Sequence, residues 1–134
     1  MTIRRADSAT KPAPEGISNR PFSIEMLLES QKDGENTAMR AFMEPGVVTH
    51  WHSHPKGQLL YVLSGIGQAQ RAGHAIVELC AGDSVWFAPG ERHWHGASPT
   101  NSFGYISIQA VSCGTAVHWM EPVTKESFHA RDAI

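Results

Sequence analysis

A histidine-rich segment, HWHSHPKGQ, begins at His50 and ends at Gln58, with histidines at every second position from 50 to 54. In an extended strand, residues two apart point to the same face, so the three imidazoles would lie side by side. Burying such a row without partners costs about 1–3 kcal/mol per unsatisfied group. A metal ion removes that cost because it takes up the nitrogen lone pairs, and the segment therefore predicts a metal site.

A second histidine pair lies in PGERHWHG, where His93 and His95 are again two apart and again separated by a tryptophan. Two such pairs on different strands can converge on one ion from opposite sides. Three imidazoles and an amide oxygen such as that of Gln58 form a neutral donor set. Such a set accepts Mn, Fe, Co, Ni, Cu or Zn, and the affinity order alone does not choose among them.

The remaining candidate residues have simpler structural interpretations. His74, His118 and His129 have no neighbouring ligand candidates and are interpreted as ordinary histidines. A histidine-rich tract can also scavenge metal at a surface, but the regular spacing and flanking glycines favour a built site. Cys113 has no histidine beside it in the sequence to activate it as a nucleophile. The four tryptophans are interpreted as packing residues.

The elements that would hold these residues are short strands. Apolar runs such as FSIEMLL, QLLYVLSG, IGQAQR and DSVWFAP alternate with turn signals such as KDGEN, EPG and AGD. This spacing is typical of an all-β barrel or sandwich. The only helix predicted is a single turn at VTKESF, with Thr124 as its N-cap. Residues 1–20 predict an extended N-terminal arm, and residues 21–134 a single domain.

One run alternates cleanly in polarity. Phe103, Tyr105, Ser107 and Gln109 share one face of the predicted strand, and Gly104, Ile106, Ile108 and Ala110 share the other. A polar face turned into a small barrel would line a cavity.

Composition limits the class of protein. The chain has 134 residues, 41% of them hydrophobic and 18% charged, with a net charge of −2, which suits one globular domain. The sequence has no basic stripe that would predict nucleic-acid binding, and it has no run of about 18 apolar residues that would predict a membrane span. The start, MTIRRADSATKPAPEG, lacks the apolar stretch of a secretory signal. With only two cysteines, we expect free thiols and a cytoplasmic protein.

Both histidine segments resemble motifs of the cupin family. From Gly46 to Gly65 the chain reads G-x5-H-x-H-x3-Q-x6-G, and from Gly82 to His93 it reads GDSVWFAPGERH. The resemblance implies a single-domain jelly-roll β-barrel of six to eleven strands. It also implies one divalent transition metal ion inside the barrel, bound by His52, His54, Gln58 and His93.

The sequence departs from the usual cupin pattern at Gln58, where the family normally has glutamate, and at Ala88, where it usually has proline. The change at position 58 has a chemical consequence. Because glutamine is neutral, the site keeps one more positive charge than a glutamate-bound ion would, and bound water or substrate should be more acidic.

Within the family, VWFAPGERHWHGASPT, YISIQAV and VHWMEPVT resemble the small bacterial manganese-dependent hydroxynitrile lyases. The resemblance implies manganese as the favoured metal, His95 as the proton-transferring residue, and Gln109 facing the substrate. Tyr105 stands where those enzymes carry a histidine. Met39 and Ala41 belong to a pocket wall that is filled differently.

Three functions are therefore compatible with the sequence. The first is a lyase acting on a small cyanohydrin-like or carbonyl substrate, with the metal as a Lewis acid. The second is a metal-dependent dioxygenase, against which the neutral donor set counts because many non-haem iron enzymes use a carboxylate. The third is a binding module without turnover. A small-molecule substrate and a homo-oligomer, dimer or tetramer, are expected, with neither nucleic acid nor membrane as a partner.

Overall fold

A computed structural model describes residues 1–6 and 9–124 of the chain. Every regular element in this range is a β-strand, which confirms the all-β prediction. The strands are β1 (Thr10–Pro12), β2 (Ser23–Leu28), β3 (Asn36–Met43), β4 (His52–Ser53), β5 (Gln58–Arg71), β6 (Val77–Cys80), β7 (Ser84–Phe87), β8 (His93–Ala97), β9 (Phe103–Ala110) and β10 (His118–Trp119). The helical turn predicted at VTKESF falls mainly on residues 125–128, outside the described residues.

All the strand pairs are antiparallel and form one curled sheet. Its order is β1-β2-β3-β9-β5-β8-β4-β10, with β6 and β7 also paired to β5. This is the jelly-roll arrangement that the sequence predicts. The expected N-terminal arm contributes β1, which pairs with β2 at the edge of the sheet. The boundary between arm and domain at residue 20 stays a prediction.

Strand β5 bends and pairs with strands in both halves of the barrel. Its first half pairs with β7 and β9, and its second half pairs with β6 and β8. The sequence predicted two strands here, QLLYVLSG and IGQAQR, but the structure joins them. A register shift between Val62 and Ser64 and a φ of 74° at Gly65 bend the strand without ending it. A side chain at Gly65 would overlap the backbone carbonyl of Ser102.

The first histidine segment is less regular than predicted, because strand β4 contains only His52 and Ser53. Pro55 and Gly57 follow in a turn, and the Gly57 N–H donates to the carbonyl of His54 at 3.1 Å. The φ of 82° at Gly57 suits glycine, and a Cβ there would lie 2.8 Å from the Phe87 carbonyl oxygen. His54 therefore lies beyond the strand, yet its side chain is buried, as is that of His52.

The apolar core fills one end of the barrel and leaves the other end polar. The main buried cluster includes Phe22, Ile24, Met43, Leu60, Val62 and Phe103. Of the tryptophans expected to pack, Trp51 and Trp94 are buried, whereas Trp86 and Trp119 are 58% and 40% exposed. Cys80 and Cys113 are exposed free thiols. Among the described residues, no helix has the length and hydropathy to span a membrane.

Candidate metal centre

A cavity of about 140 Å³ opens at the polar end of the barrel. Register explains its position, because the inward faces of β3, β9 and β5 lie side by side. Gln109 pairs with both Thr37 and Gln58, and Ser107 pairs with both Met39 and Leu60. The cavity is lined by Phe22, Thr37, Met39, Thr49, His52, His54, Gln58, His95, Tyr105, Ser107, Gln109, Ala116, Val117 and Trp119.

The two histidine segments meet at this cavity. His52 on β4 is the register partner of His93 on β8, and their ring centroids are 4.3 Å apart. The centroid of His54 lies 5.1 Å from that of His52 and 5.5 Å from that of His93. Among the described residues, one ring nitrogen each from His52, His93 and His95 lie within 4.8 Å of one another.

Three of the four buried histidines share one hydrogen-bonding arrangement. Each bonds a backbone carbonyl oxygen through Nδ1: His52 to His50 at 2.9 Å, His54 to Ala116 at 2.7 Å, and His93 to Glu91 at 2.8 Å. A carbonyl oxygen can only accept, so Nδ1 carries the proton and the lone pair is on Nε2. Metal-binding histidines are usually oriented by such a bond at the other nitrogen.

Burial keeps these imidazoles neutral. Desolvation lowers the pKa of His54 to about 4 and that of His93 to about 3, although each backbone hydrogen bond acts in the opposite direction. The pKa of His52 lies well below its usual value, first because of burial and then because of the neighbouring histidines. At neutral pH all three rings are therefore free of the proton that would compete with a metal.

Gln58 adds an oxygen to this group. Its Nε2 donates to Oε1 of Gln109 at 3.0 Å, so its own Oε1 is on the side of the histidines, 3.4 Å from Nε2 of His93. Nε2 of His54 is buried and has no hydrogen-bond partner. An unpartnered nitrogen, two further imidazoles with Nε2 lone pairs and an amide oxygen fit a divalent transition ion.

His95 is bonded differently from the other three histidines. It is 3% exposed, and its Nε2 lies 3.0 Å from the hydroxyl of Tyr105, while its Nδ1 is buried without a partner. Burial is the first cause that lowers the pKa of His95, and it also raises the pKa of Tyr105. The ring is neutral at pH 7 and keeps one nitrogen uncommitted inside the cavity.

The structure distributes the expected pocket residues unevenly. Met39, Tyr105 and Gln109 line the cavity. Ala41 does not: it is 2% exposed and packs in the apolar core. Ser107, which the sequence placed on this face without a role, lines the cavity with a buried hydroxyl that has no partner.

Two aromatic residues at the centre were not assigned there from sequence. Phe87 stacks on His93 with centroids 3.5 Å apart and ring planes 8° apart. The ring centroid of Trp119 lies 4.6 Å from that of His52, and Trp119 also lines the cavity. The only sequence signal was the place of Phe87 within the second motif and that of Trp119 in the run AVHWME, which does not distinguish a cavity wall from a core.

A barrel of antiparallel strands with histidines converging at its polar end is the architecture of the cupins. The family model described as "Cupin domain" matches residues 39–106, which is half of the chain. The chain belongs to the cupin family.

The relatives are small proteins of similar length. An (R)-mandelonitrile lyase from Granulicella tundricola is 42% identical over 129 residues, covering 96% of this chain and 98% of that protein. A cupin-like protein from Thermotoga maritima is 30% identical, with a TM-score of 0.84 and 97% of each chain covered. The polyketide cyclase RemF from Streptomyces resistomycificus, at 16% identity and a TM-score of 0.72, covers 98% of this chain and 94% of its own and shares the fold alone.

Proposed function

We propose that this cupin is a metal-dependent lyase that cleaves a small cyanohydrin into a carbonyl compound and hydrogen cyanide, and also runs the reverse reaction. The observation that carries the proposal is the set of three buried imidazoles, each bonded to a backbone carbonyl at Nδ1. Two of them, His52 and His54, line the cavity together with Gln58 and His95, and His93 lies directly behind His52 as its register partner. The near full-length similarity to a mandelonitrile lyase supports the choice of reaction.

The proposed ligands are His52, His54, Gln58 and His93, and the favoured ion is manganese. The shared Nδ1 arrangement of the three histidines argues for this set. His95 lacks this arrangement: its Nε2 lies beside the Tyr105 hydroxyl, and its Nδ1, which has no partner, is assigned to proton transfer. A divalent ion held there would supply Lewis acidity to the substrate oxygen.

His95 is the proposed proton carrier. The proposal uses the tautomer of His95 in which Nε2–H donates to the Tyr105 hydroxyl, so that the lone pair is on Nδ1, the nitrogen without a partner. In the cleavage direction, Nδ1 takes the hydroxyl proton as the bond between the carbinol carbon and the nitrile breaks. The bond electrons leave with cyanide, and His95 returns the proton to give hydrogen cyanide. Such proton transfer contributes on the order of 10²–10⁴ in rate.

The cavity wall limits the substrate to a small molecule with an apolar substituent. Phe22, Met39, Val117 and Trp119 form the apolar part of the lining. An apolar cavity of roughly 150 Å³ holds a benzene-sized group, which is close to the volume here. The proposal assigns pocket roles to Met39 and Tyr105, and Ser107 offers a hydroxyl to the substrate. Ala41 is left out because it lies in the core.

Metal analysis and three parallel assays test the function. Protein purified without a histidine tag should contain one transition ion per chain, and the manganese form should release cyanide and aldehyde from a cyanohydrin. His95→Gln is the matched variant that keeps a polar side chain but no base. Oxygen consumption with phenolic substrates would instead indicate a dioxygenase, and tight ligand binding without turnover would indicate a binding module.

The proposal also includes the cellular location of the protein and its binding partners. A cytoplasmic location is proposed from the free thiols. The expected partners are the small substrate and further copies of the same chain, in a dimer or tetramer.

A further inference from the structure

Thr37, Gln109 and Gln58 form a hydrogen-bonded row across three adjacent strands. Gln109 on β9 is the register partner of Thr37 on β3 and of Gln58 on β5. All three side chains line the cavity, so the row runs along the wall of the barrel to the histidines.

The direction of every bond in this row is determined at its Thr37 end. Nε2 of Gln109 lies 2.6 Å from the Thr37 hydroxyl oxygen and 3.3 Å from the Thr37 carbonyl oxygen. The hydroxyl donates its own proton to the carbonyl of Gln109 at 3.3 Å. Both Thr37 oxygens therefore accept, and the NH₂ of Gln109 must face them. Oε1 of Gln109 then faces Gln58 and accepts a hydrogen bond from the Nε2 of Gln58. The other amide atom of Gln58, its Oε1, is therefore directed toward the histidines.

We propose that Gln109 and Thr37 are positioning residues that hold the oxygen of Gln58 toward the metal, a role that rests on the metal centre proposed above. A glutamate at position 58 would present an oxygen in either orientation. A glutamine presents an oxygen in only one of its two amide orientations, and the flipped amide would offer N–H donors to a cation. The neutral ligand needs an orienting partner that a carboxylate does not. This also removes Gln109 from the substrate-binding role, because its polar atoms are committed to the row.

A double-mutant cycle on metal affinity tests this role. Gln109→Leu should weaken Mn²⁺ or Co²⁺ binding about 10- to 100-fold, the usual effect of losing a group that orients a metal ligand. In the Gln58→Glu background the same substitution should change affinity much less, since either carboxylate oxygen serves. Thr37→Val should weaken metal binding, as Gln109→Leu does. Thr37→Ser, which keeps the hydroxyl, should bind the metal as the unmutated chain does.

The visible absorption spectrum of the cobalt form is the second readout, because it follows the ligands of the ion and not the packing of the wall. It should change in Gln109→Leu and stay unchanged in Thr37→Ser. Equal losses of affinity in both backgrounds would mean that Gln109 only packs, and the positioning role would be overturned while the metal centre stood. If the unmutated chain bound neither ion, the metal centre itself would be overturned, and the positioning role with it.

A different part of the molecule carries a second inference. The outer face of the sheet, turned away from the cavity, has an apolar row across five strands, formed by Leu28, Ala38, Ile108, Leu59 and Trp86. Leu28 is 51% exposed, Leu59 38%, Ile108 39% and Trp86 58%. Tyr61, the outward residue two beyond Leu59 on β5, is also exposed. Contiguous apolar area on this scale is typical of a binding surface.

We infer that this outer row is the contact surface for a second copy of the chain. Leu59 and Ile108 lie side by side near the middle of the row, so a two-fold axis there packs the row against itself. Sheets stack face to face in this manner at about 10 Å. Glu25 and Arg40 continue the neighbouring outward row that contains Tyr61, and Glu25 pairs with Arg40 at 2.7 Å and with Arg4 at 3.0 Å. A stable interface buries about 800 Å² per partner, and this row of half-exposed apolar side chains would form its centre.

Sedimentation equilibrium of the full chain tests the second inference. The unmutated protein should have the mass of two or more copies, and Leu59→Lys should shift it to the monomer with an unchanged far-UV circular dichroism spectrum. Thr100→Lys, at an exposed loop position, is the matched control and should leave the mass unchanged. A monomeric unmutated chain, or a Leu59→Lys variant that stays associated, would overturn the inference.

Discussion

His52 and His93 lie opposite each other on adjacent strands, with ring centroids 4.3 Å apart, and each donates Nδ1–H to the carbonyl of the residue two before it. The two imidazoles lie 41 residues apart in the sequence, and each has the same nitrogen, Nε2, available. His54 repeats the arrangement with a carbonyl from residue 116. These shared bonds separate the proposed ligands from His95.

The ligand set is tested by alanine substitution. His54→Ala and His93→Ala should each lose most of the bound metal, because each removes an imidazole whose Nε2 lone pair is available for the ion. His95→Ala should retain the metal and lose turnover by on the order of 10²-fold or more. Metal content by mass spectrometry and cyanide release should be measured on all three proteins. Loss of metal in His95→Ala, with retention in His54→Ala, would assign the site to His52, His93 and His95 instead.

Changing the neutral ligand should alter affinity and reactivity in opposite directions. Gln58→Glu adds a negative charge at the centre, so we expect tighter metal binding but weaker Lewis acidity and a lower kcat. Gln58→Leu is the control, since it removes the oxygen without adding charge and should weaken binding. Metal titrations and steady-state kinetics on the two variants measure both effects. An unchanged or raised kcat in a fully loaded Gln58→Glu protein would contradict the charge argument.

Acid should destabilise the metal-free protein through its buried histidines. Their pKa values are lower in the folded state, about 4 for His54 and about 3 for His93, than the ordinary value of 6.5 in the unfolded chain. The unfolded state therefore binds more protons below pH 6.5. The free energy of unfolding should fall as pH drops from about 6.5 toward 4, by up to about 1.4 kcal/mol per pH unit for each such group.

Urea unfolding of the metal-free protein across this pH range measures the slope. His54→Gln should reduce the slope because it removes one group that takes up a proton on unfolding. Thr100→Gln, at an exposed position, changes no titratable group and is the control, which should leave the slope as it is. Equal slopes in the unmutated and His54→Gln proteins would show that His54 is not kept neutral by the fold.

Removing the metal should lower both stability and activity. A ligand that binds only the folded state adds about 2.7 kcal/mol at a concentration 100 times its Kd. Dialysis against a chelator should therefore lower Tm and abolish cyanide release, and added Mn²⁺ should restore both. A protein whose Tm does not respond to either treatment would not have the proposed centre.

Ser107 offers a substitution with effects of opposite sign. Its hydroxyl is buried in the cavity wall without a partner, so Ser107→Ala should leave stability unchanged or raise it. If the hydroxyl bonds the substrate, the same substitution should raise KM about tenfold, the equivalent of one hydrogen bond of about 1.4 kcal/mol. Thermal unfolding and steady-state kinetics separate the two effects. An unchanged KM would remove Ser107 from substrate binding.

The residues of the proposed centre lie in short segments, and for that reason the sequence could predict that they lie together. Two His-x-His pairs and Gln58 are short-range patterns, and alternation along 103–110 identifies which side chains share a face, because the period of a strand is two residues. The cupin motifs add the expectation that both segments meet at one ion. The all-β fold follows from the same alternation and from the turn residues between runs.

The tertiary structure decided what depends on contacts between distant residues. The carbonyl that holds His54 comes from Ala116, and the amide orientation of Gln58 depends on Thr37 through Gln109. Strand register sets these partners, and register results from pairing over the whole sheet and not from any local pattern. Alternation along β3 puts Met39 and Ala41 on the same strand face, and only the packing of the whole barrel places Met39 in the cavity wall and Ala41 in the core.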